Sequence, residues 1–181
     1  MTCLRTLLSP ALLILMPCLS AGAASVQVVE ESADGLLIQF TMPATSLMAS
    51  EPGMQELALP GIVLRLQRPG LPNLPFFAEL LAAPNASTVS VEVLDSHFVE
   101  YEGVDYAIAE DEGSTSDTAF PHQPVGLWPT ARASVEYAGI LRGVHAHALR
   151  LFPVAYDGLT RTLRVYDRMT LAVRFDGGST G

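Results

Sequence analysis

"TLRVYDRMTLAVRF", Thr162 to Phe175, has a period of two. Its odd positions are Leu163, Val165, Asp167, Met169, Leu171, Val173 and Phe175. Its even positions are Thr162, Arg164, Tyr166, Arg168, Thr170, Ala172 and Arg174. Successive side chains of an extended chain point to opposite faces, so the pattern reads as a half-buried strand, or two in matching phase. Asp167 is the one exception on the apolar side.

Neighbouring stretches follow the same rule. "STVSVEV" alternates through Val89, Val91 and Val93 and changes phase near Asp95 and Ser96. "VHAHALRLF", Val144 to Phe152, carries apolar residues on both faces, as a more central strand does. "SVQVVE", "GLLIQFTM" and "SVEYAGI" add three candidates. Turn signals separate them: Ala33-Asp34-Gly35, Glu51-Pro52-Gly53, Pro84-Asn85 and Tyr156-Asp157-Gly158. With 13 prolines and 14 glycines there is little room for helix, and only Ala131 to Tyr137 could form a short one. The expected fold is all-β, an antiparallel β-sandwich of jelly-roll-like type.

One segment needs separate treatment. "RPGLPNLPFFAELLAAP", residues 68 to 84, sets four prolines and a glycine beside Phe76, Phe77, Leu80 and Leu81. Proline would break a helix, and a disordered linker would not carry so much apolar surface. The remaining option is an extended segment that enters a buried strand at fixed register.

The first 24 residues read as a secretory signal. Arg5 supplies the positive start, Leu7 to Leu19 the apolar stretch, and "SAGAAS" the small residues for cleavage after Ala23 or Ala24. The apolar run is too short for a membrane span and contains Pro10 and Pro17, and Pro17 also fits poorly with a lipidated Cys18. No later stretch is apolar enough to span a bilayer. Residues 25–181 then form a single exported domain, secreted or periplasmic, of about 157 residues. Both cysteines, Cys3 and Cys18, leave with the signal, so the exported domain has no disulfide, thiolate metal site or thiol nucleophile.

All ten basic residues are arginine. From Pro69 to Ala131 there are ten carboxylates and no arginine; from Arg132 onward there are seven arginines and four carboxylates. An acidic middle and a net charge of −9 disfavour nucleic acid and suit solubility or a partner of opposite sign.

Few residues suggest chemistry. His145 and His147 share a strand face, roughly 7 Å apart, and could hold a metal only if a third ligand approached. His97 and His122 are distant in sequence. The stretch "AEDEGSTSDTAF", Ala109 to Phe120, is acidic and rich in Ser and Thr, reads as an exposed loop, and lacks the spacing of a calcium loop. Asn85-Ala86-Ser87 matches a glycosylation sequon. There is no Gly-x-Ser-x-Gly elbow and no glycine-rich phosphate cradle, and the carboxylates form no recognisable acid/base pair. Neither a cofactor nor a metal is expected. Trp128, the single tryptophan, is either a ligand platform or a core or rim residue. With Tyr101 and Tyr137 exposed on a concave face, the domain would suit an alternative role as a secreted binding or adhesion module for glycan or surface protein.

Several landmarks occur in one order: "RPGLPNLPFFAELLAAP", then "TVSVEVL", then "FPHQPV" (Phe120 to Val125), then "GILRGVHAHALRLFPVAYDGLTRTLRVYDRMTLAVRF" (Gly139 to Phe175). This order resembles the propeptide domain of gingipain-type secreted bacterial cysteine peptidases (the C25 clan), over roughly Leu57 to Asp176. The matching positions are Gly70, Pro72 and Pro75 ahead of a strand, the aromatic-Pro step at Phe120 and Pro121, and Arg142 and Gly143 of a Leu-Arg-Gly motif. Pro153 and Tyr156 match a closing Pro-Val-x-Tyr and turn.

The resemblance implies a non-catalytic β-sandwich that assists folding of a cysteine protease and keeps it latent by covering the active-site cleft. Its partner would be that protease's catalytic domain, whose His and Cys have no counterpart here; the chain reads as a partial product or a free-standing prodomain. Such domains can present a basic residue from the loop before the aromatic-Pro step. Here that loop, Ala109 to Ala119, is acidic through Glu110, Asp111, Glu112 and Asp117. It is therefore expected to face the protease without a substrate-mimicking arginine. Arg132 reads as a surface residue and Arg142 as structural.

Overall fold

A computed structural model describes residues 23–43, 46–49, 54–59, 61–83, 88–109 and 126–176. Among them every regular element is a strand: β1 (Ser25–Ser32), β2 (Gly35–Thr41), β3 (Ser46–Ala49), β4 (Gln55–Ala58), β5 (Leu64–Arg65), β6 (Pro75–Ala83), β7 (Thr88–Tyr101), β8 (Ala133–Leu141), β9 (Val144–Leu151), β10 (Val154–Asp157) and β11 (Thr162–Asp176). The antiparallel all-β expectation is borne out. The residues before Ala23, the turns at Glu51-Pro52-Gly53 and Pro84-Asn85, the sequon, and the loop with Glu110, Asp111, Glu112, Asp117, Phe120, Pro121 and His122 lie outside the described residues.

The alternating stretch that decides the fold is one strand, β11, and it is the spine of the first sheet. Nearly all of it pairs with β7, from Leu163 against Tyr101 to Asp176 against Thr88. Its other edge is shared: β10 pairs along Thr162–Val165, and β2 pairs along Arg168–Arg174. β1 closes that side by pairing with β2 through a tight turn at Ala33 and Asp34. Leu163, Met169 and Leu171 are fully buried, as the period of two requires.

The exception at Asp167 has a structural cause. The ladder to β7 shifts between Tyr166 and Arg168, which leaves Asp167 as an extra residue in a β-bulge. The bulge turns its carboxylate toward His97, whose Nδ1 lies 2.7 Å from Asp167 Oδ1. A second shift between Thr170 and Leu171 leaves Leu94 of β7 as the extra residue and restores the register. That is the phase change read near Asp95 and Ser96.

The second sheet has the order β5-β6-β9-β8, with β9 central, in line with its two apolar faces. "SVEYAGI" belongs to β8, so the short helix that Ala131 to Tyr137 could have formed is not taken; pairing with β9 from Ala133 onward claims those backbone groups instead. β8 and β9 join through Arg142 and Gly143, with φ of 52° and 83°. Two successive positive φ values define a type I′ hairpin turn, whose twist matches the flanking strands. β3 and β4 form a separate two-stranded ladder.

The core lies between the two sheets. Ile38 and Phe40 of β2 and Leu163, Met169, Leu171 and Val173 of β11 meet Leu81 of β6 and Leu149 and Leu151 of β9. The Phe40 and Phe77 rings approach to 5.9 Å across the gap. Each such leucine or phenylalanine stabilises the fold by about 1.5–3 kcal/mol relative to exposure.

Candidate functional site: a braced frame at the borders of residues 110–125

After β7 the chain runs through Val104 to Ala109 without forming a named strand, yet its backbone groups are held from two sides. On one side the Gln55 N–H donates to the Asp105 carbonyl at 2.7 Å, and the Ala107 N–H donates to the Gln55 carbonyl at 3.0 Å. On the other, the Asn73 N–H donates to the Ala107 carbonyl at 3.0 Å and the Ala109 N–H to the Leu71 carbonyl at 2.9 Å. The Gly70 N–H donates to the Ala109 carbonyl at 3.2 Å.

The proline-rich stretch explains this second side. Gly70 has φ of 79°, in the left-handed region that glycine enters without steric cost. Pro72 is buried and bridges Ile108; the bonds of that bridge come from its neighbours Leu71 and Asn73, so the missing proline N–H leaves nothing unpaired. Pro75 opens β6, at the strand position where proline is tolerated. The segment does enter a strand at fixed register, and it also braces Ala107 to Ala109.

The returning border, Gly126 to Trp128, is held by Tyr156. The Trp128 N–H donates to the Tyr156 carbonyl and the Tyr156 N–H to the Trp128 carbonyl, both at 2.8 Å. The Tyr156 hydroxyl reaches the first border, donating to the Val104 carbonyl at 2.8 Å. The Val104 N–H donates to the Arg161 carbonyl at 3.0 Å, and the Arg161 guanidinium pairs with the Asp105 carboxylate. The Tyr106 and Tyr156 rings lie 5.8 Å apart, and the Tyr106 hydroxyl accepts from the Leu57 N–H at 3.3 Å. Burial is the main cause that pushes both phenols above their ordinary pKa, so both remain neutral donors or acceptors. One residue thus connects both borders of residues 110–125. Val104, Tyr106 and Gln55 carried no signal in the sequence, because their bonds join irregular backbone across long separations.

The remaining predicted residues are placed as follows. Pro153 is buried between β9 and β10, and its carbonyl accepts from the Tyr166 N–H at 2.7 Å. Arg142 and Gly143 form the β8–β9 turn described above. Ala23 and Ala24 precede β1, and Ala24 packs against the core. Arg132 bends back onto the carbonyls of Pro129 and Thr130, with its guanidinium 5.0 Å from the Tyr166 ring centre. Desolvation lowers its pKa, so it is partly enclosed and not presented as a free surface cation.

The three aromatic residues considered for a binding platform do not share an exposed face. Tyr101, Leu163, Tyr156 and Trp128 stand opposite one another across successive pairings of the first sheet, and Tyr101 and Trp128 pack against the core. The Arg68 guanidinium covers Trp128 at 5.6 Å. Tyr137 is exposed on β8, with its ring centre 5.7 Å from that of His145 and 5.3 Å from that of His147. Among the described residues no group of three His, Cys, Asp or Glu side chains is placed to hold a metal ion. No helix of the described residues is long and apolar enough to cross a membrane.

The described residues thus form an all-β arrangement that ties down the chain on both sides of an acidic segment. The Propeptide_C25 family model matches residues 21–180, and the chain belongs to that family of cysteine-peptidase propeptides. It is 28% identical over 120 residues to Gingipain R1 of Porphyromonas gingivalis, which covers 61% of this chain and 12% of that protein. Gingipain R2 of the same organism matches at the same identity, over 16% of its length. The chain therefore spans only a small part of the curated relatives it matches. Among solved structures, the complex of the Porphyromonas gingivalis RgpB pro- and mature domains superposes with a TM-score of 0.67 at 25% identity, covering 85% of this chain and 86% of that one. The fold is shared with a structure of gingipain K from Porphyromonas gingivalis that addresses its zymogenic latency, with a TM-score of 0.68 at 22% identity, covering 88% and 96%.

Proposed function

We propose that this domain is the latency and folding module of a gingipain-like cysteine protease, and is not itself catalytic. It covers the protease's active-site cleft, with residues 110–119, including Glu110, Asp111, Glu112 and Asp117, facing the catalytic domain. Residues 1–24 direct export and are removed after Ala23 or Ala24, and residues 25–181 act as one domain outside the inner membrane.

The single observation that supports this reading most is the frame around Tyr156. A segment of about sixteen residues whose two borders are tied loses less entropy on docking than one with free ends. When such a module is tethered to its protease, the effective concentration is of order mM, so modest affinity suffices for latency. Proteolysis of the tether turns that intramolecular contact into a bimolecular one, and dilution then releases the enzyme.

The test is to mix the purified protein with the catalytic domain of its cognate protease and follow hydrolysis of a small chromogenic substrate. Inhibition that saturates near equimolar protein is expected. Full activity at large stoichiometric excess would count against the proposal. A chaperone role requires further that denatured catalytic domain recover more activity when refolded with the protein than without it.

A further inference from the structure

We infer that the outward side of the second sheet is a docking surface for the protease's catalytic domain, in addition to any contact at the cleft. This deepens the propeptide reading above and rests on it. Strand pairing sets Leu80 opposite Ala148, Ala82 opposite Ala146, and Leu141 opposite Val144. These residues alternate with Leu81, Leu149 and Leu151, which are buried in the core, so they point away from it. Leu80, Leu141 and Val144 are 57%, 61% and 46% exposed.

An antiparallel sheet with one side on the core ordinarily turns polar residues outward. The first sheet does so: on its outward side Arg164 pairs with Glu100 at 2.6 Å and Arg174 with Glu92 at 3.1 Å. The outward side of the second sheet is apolar and low in profile. Among the described residues its one ion pair is Arg150 with Glu136, at 3.0 Å. Alanine has no rotamer freedom to lose, so covering such a face costs little ordering entropy.

The size and place of the face decide what covers it. Three strands about 4.8 Å apart, followed from Val144 to Arg150, present about 350 Å². A self-standing complex buries about 800 Å² on each partner. Two copies meeting here would fall well short of that, and each carries a net charge of −9, which adds repulsion. A protease seated on the braced frame meets no such shortfall, because the face extends a contact it already makes. β6 begins two residues after Asn73 of one brace, and β8 begins five residues after Trp128 of the other. The protease surface that fits is flat and apolar, with no charged side chain directed at the alanines.

Leu80→Glu tests this in the intact protein by placing a charge on the face at an exposed position. Ser90→Glu is the control: Ser90 is exposed opposite Arg174 on the outward side of the first sheet, and it receives the same charge. Both urea midpoints should stay near that of the wild type. The inhibition constant should rise about tenfold or more for Leu80→Glu, because docking then buries an unpaired carboxylate, and stay within about twofold for Ser90→Glu. Ala82→Cys gives a readout that does not depend on inhibition or on the fold of Leu80→Glu. Alkylation of its thiol, followed by mass spectrometry, should slow severalfold when the catalytic domain is bound.

If the wild type inhibits, an unchanged constant for Leu80→Glu or an unprotected thiol at Ala82→Cys overturns this inference and leaves the propeptide reading standing. Self-association of the free protein that Leu80→Glu abolishes would give the face to a second copy and overturn it equally. If the wild type does not inhibit, the propeptide reading itself fails, and the docking surface fails with it.

Discussion

Gly35→Ala is the substitution whose cost follows most directly from the geometry. Gly35 opens β2 with φ of 157° and stands opposite Arg174 of the central strand. A Cβ built there would lie 2.1 Å from the Val173 carbonyl oxygen, 3.1 Å from its carbonyl carbon and 3.2 Å from Arg174 Cα. All three are main-chain atoms of β11, so no side chain can swing away. Ordinary contact lies at roughly 3.5 Å, and the strands must separate by about 1 Å or more. Overpacking strain contributes about 1–3 kcal/mol. The retreat also endangers the pairing with Arg174 and the Phe175 N–H bond to the Asp34 carbonyl at 2.8 Å, each worth about 1 kcal/mol. A total of about 3–5 kcal/mol is a large share of the ~5–15 kcal/mol that holds a domain of this kind folded. Urea unfolding followed by Trp128 emission reads it as a lower midpoint at similar slope. Gly70→Ala is the contrast, because no heavy atom lies within 4 Å of its built Cβ. Its cost is the left-handed φ alone, about 1–2 kcal/mol. A Gly35→Ala loss below about 1 kcal/mol, or smaller than that of Gly70→Ala, would refute the reasoning.

Two further outcomes follow from the same structure. Arg142→Asn places a residue suited to positive φ in the first position of the β8–β9 turn, and should raise stability by a few tenths to about 1 kcal/mol with inhibition unchanged; a weakened inhibitor would instead give Arg142 a contact role. Because burial raises the pKa of Tyr106 and Tyr156 above the ordinary value of 10.0, the folded state keeps protons that the unfolded chain gives up. This stabilisation is complete below pH 10 and is lost as the pH rises from there through the folded-state values. Urea midpoints measured on both sides of pH 10 should show the fall, and Tyr156→Phe should make it shallower.

Strands were legible in the sequence wherever a residue's environment depends on which face it occupies. The alternation of Leu163 to Val173 located the spine. Asp167, the residue out of pattern, marked the bulge, and the phase change after Val93 marked its counterpart at Leu94. Whether β11 was one strand or two could not be read, because a bulge and a turn both interrupt alternation. "RPGLPNLPFF" was readable as a lead into β6, since Pro75 and Gly70 restrict the backbone locally. Its second role, bracing Ala107 and Ala109, was not readable: those bonds run between main-chain groups in irregular segments, which nearly any residue type carries. Tyr156 stood out in the sequence only beside a turn signal and as part of a resemblance. Its hydroxyl bond spans 52 residues to Val104, and no periodicity encodes such a contact.

Burial of the active-site cleft is tested most directly by the reactivity of the protease's own nucleophile. Alkylation of the catalytic cysteine by a small active-site-directed reagent should slow by at least about tenfold once one equivalent of this protein is added, and should recover when the protein is removed by proteolysis. An unchanged labelling rate in a complex that co-elutes as a single species would mean that the domain binds its protease without covering the cleft.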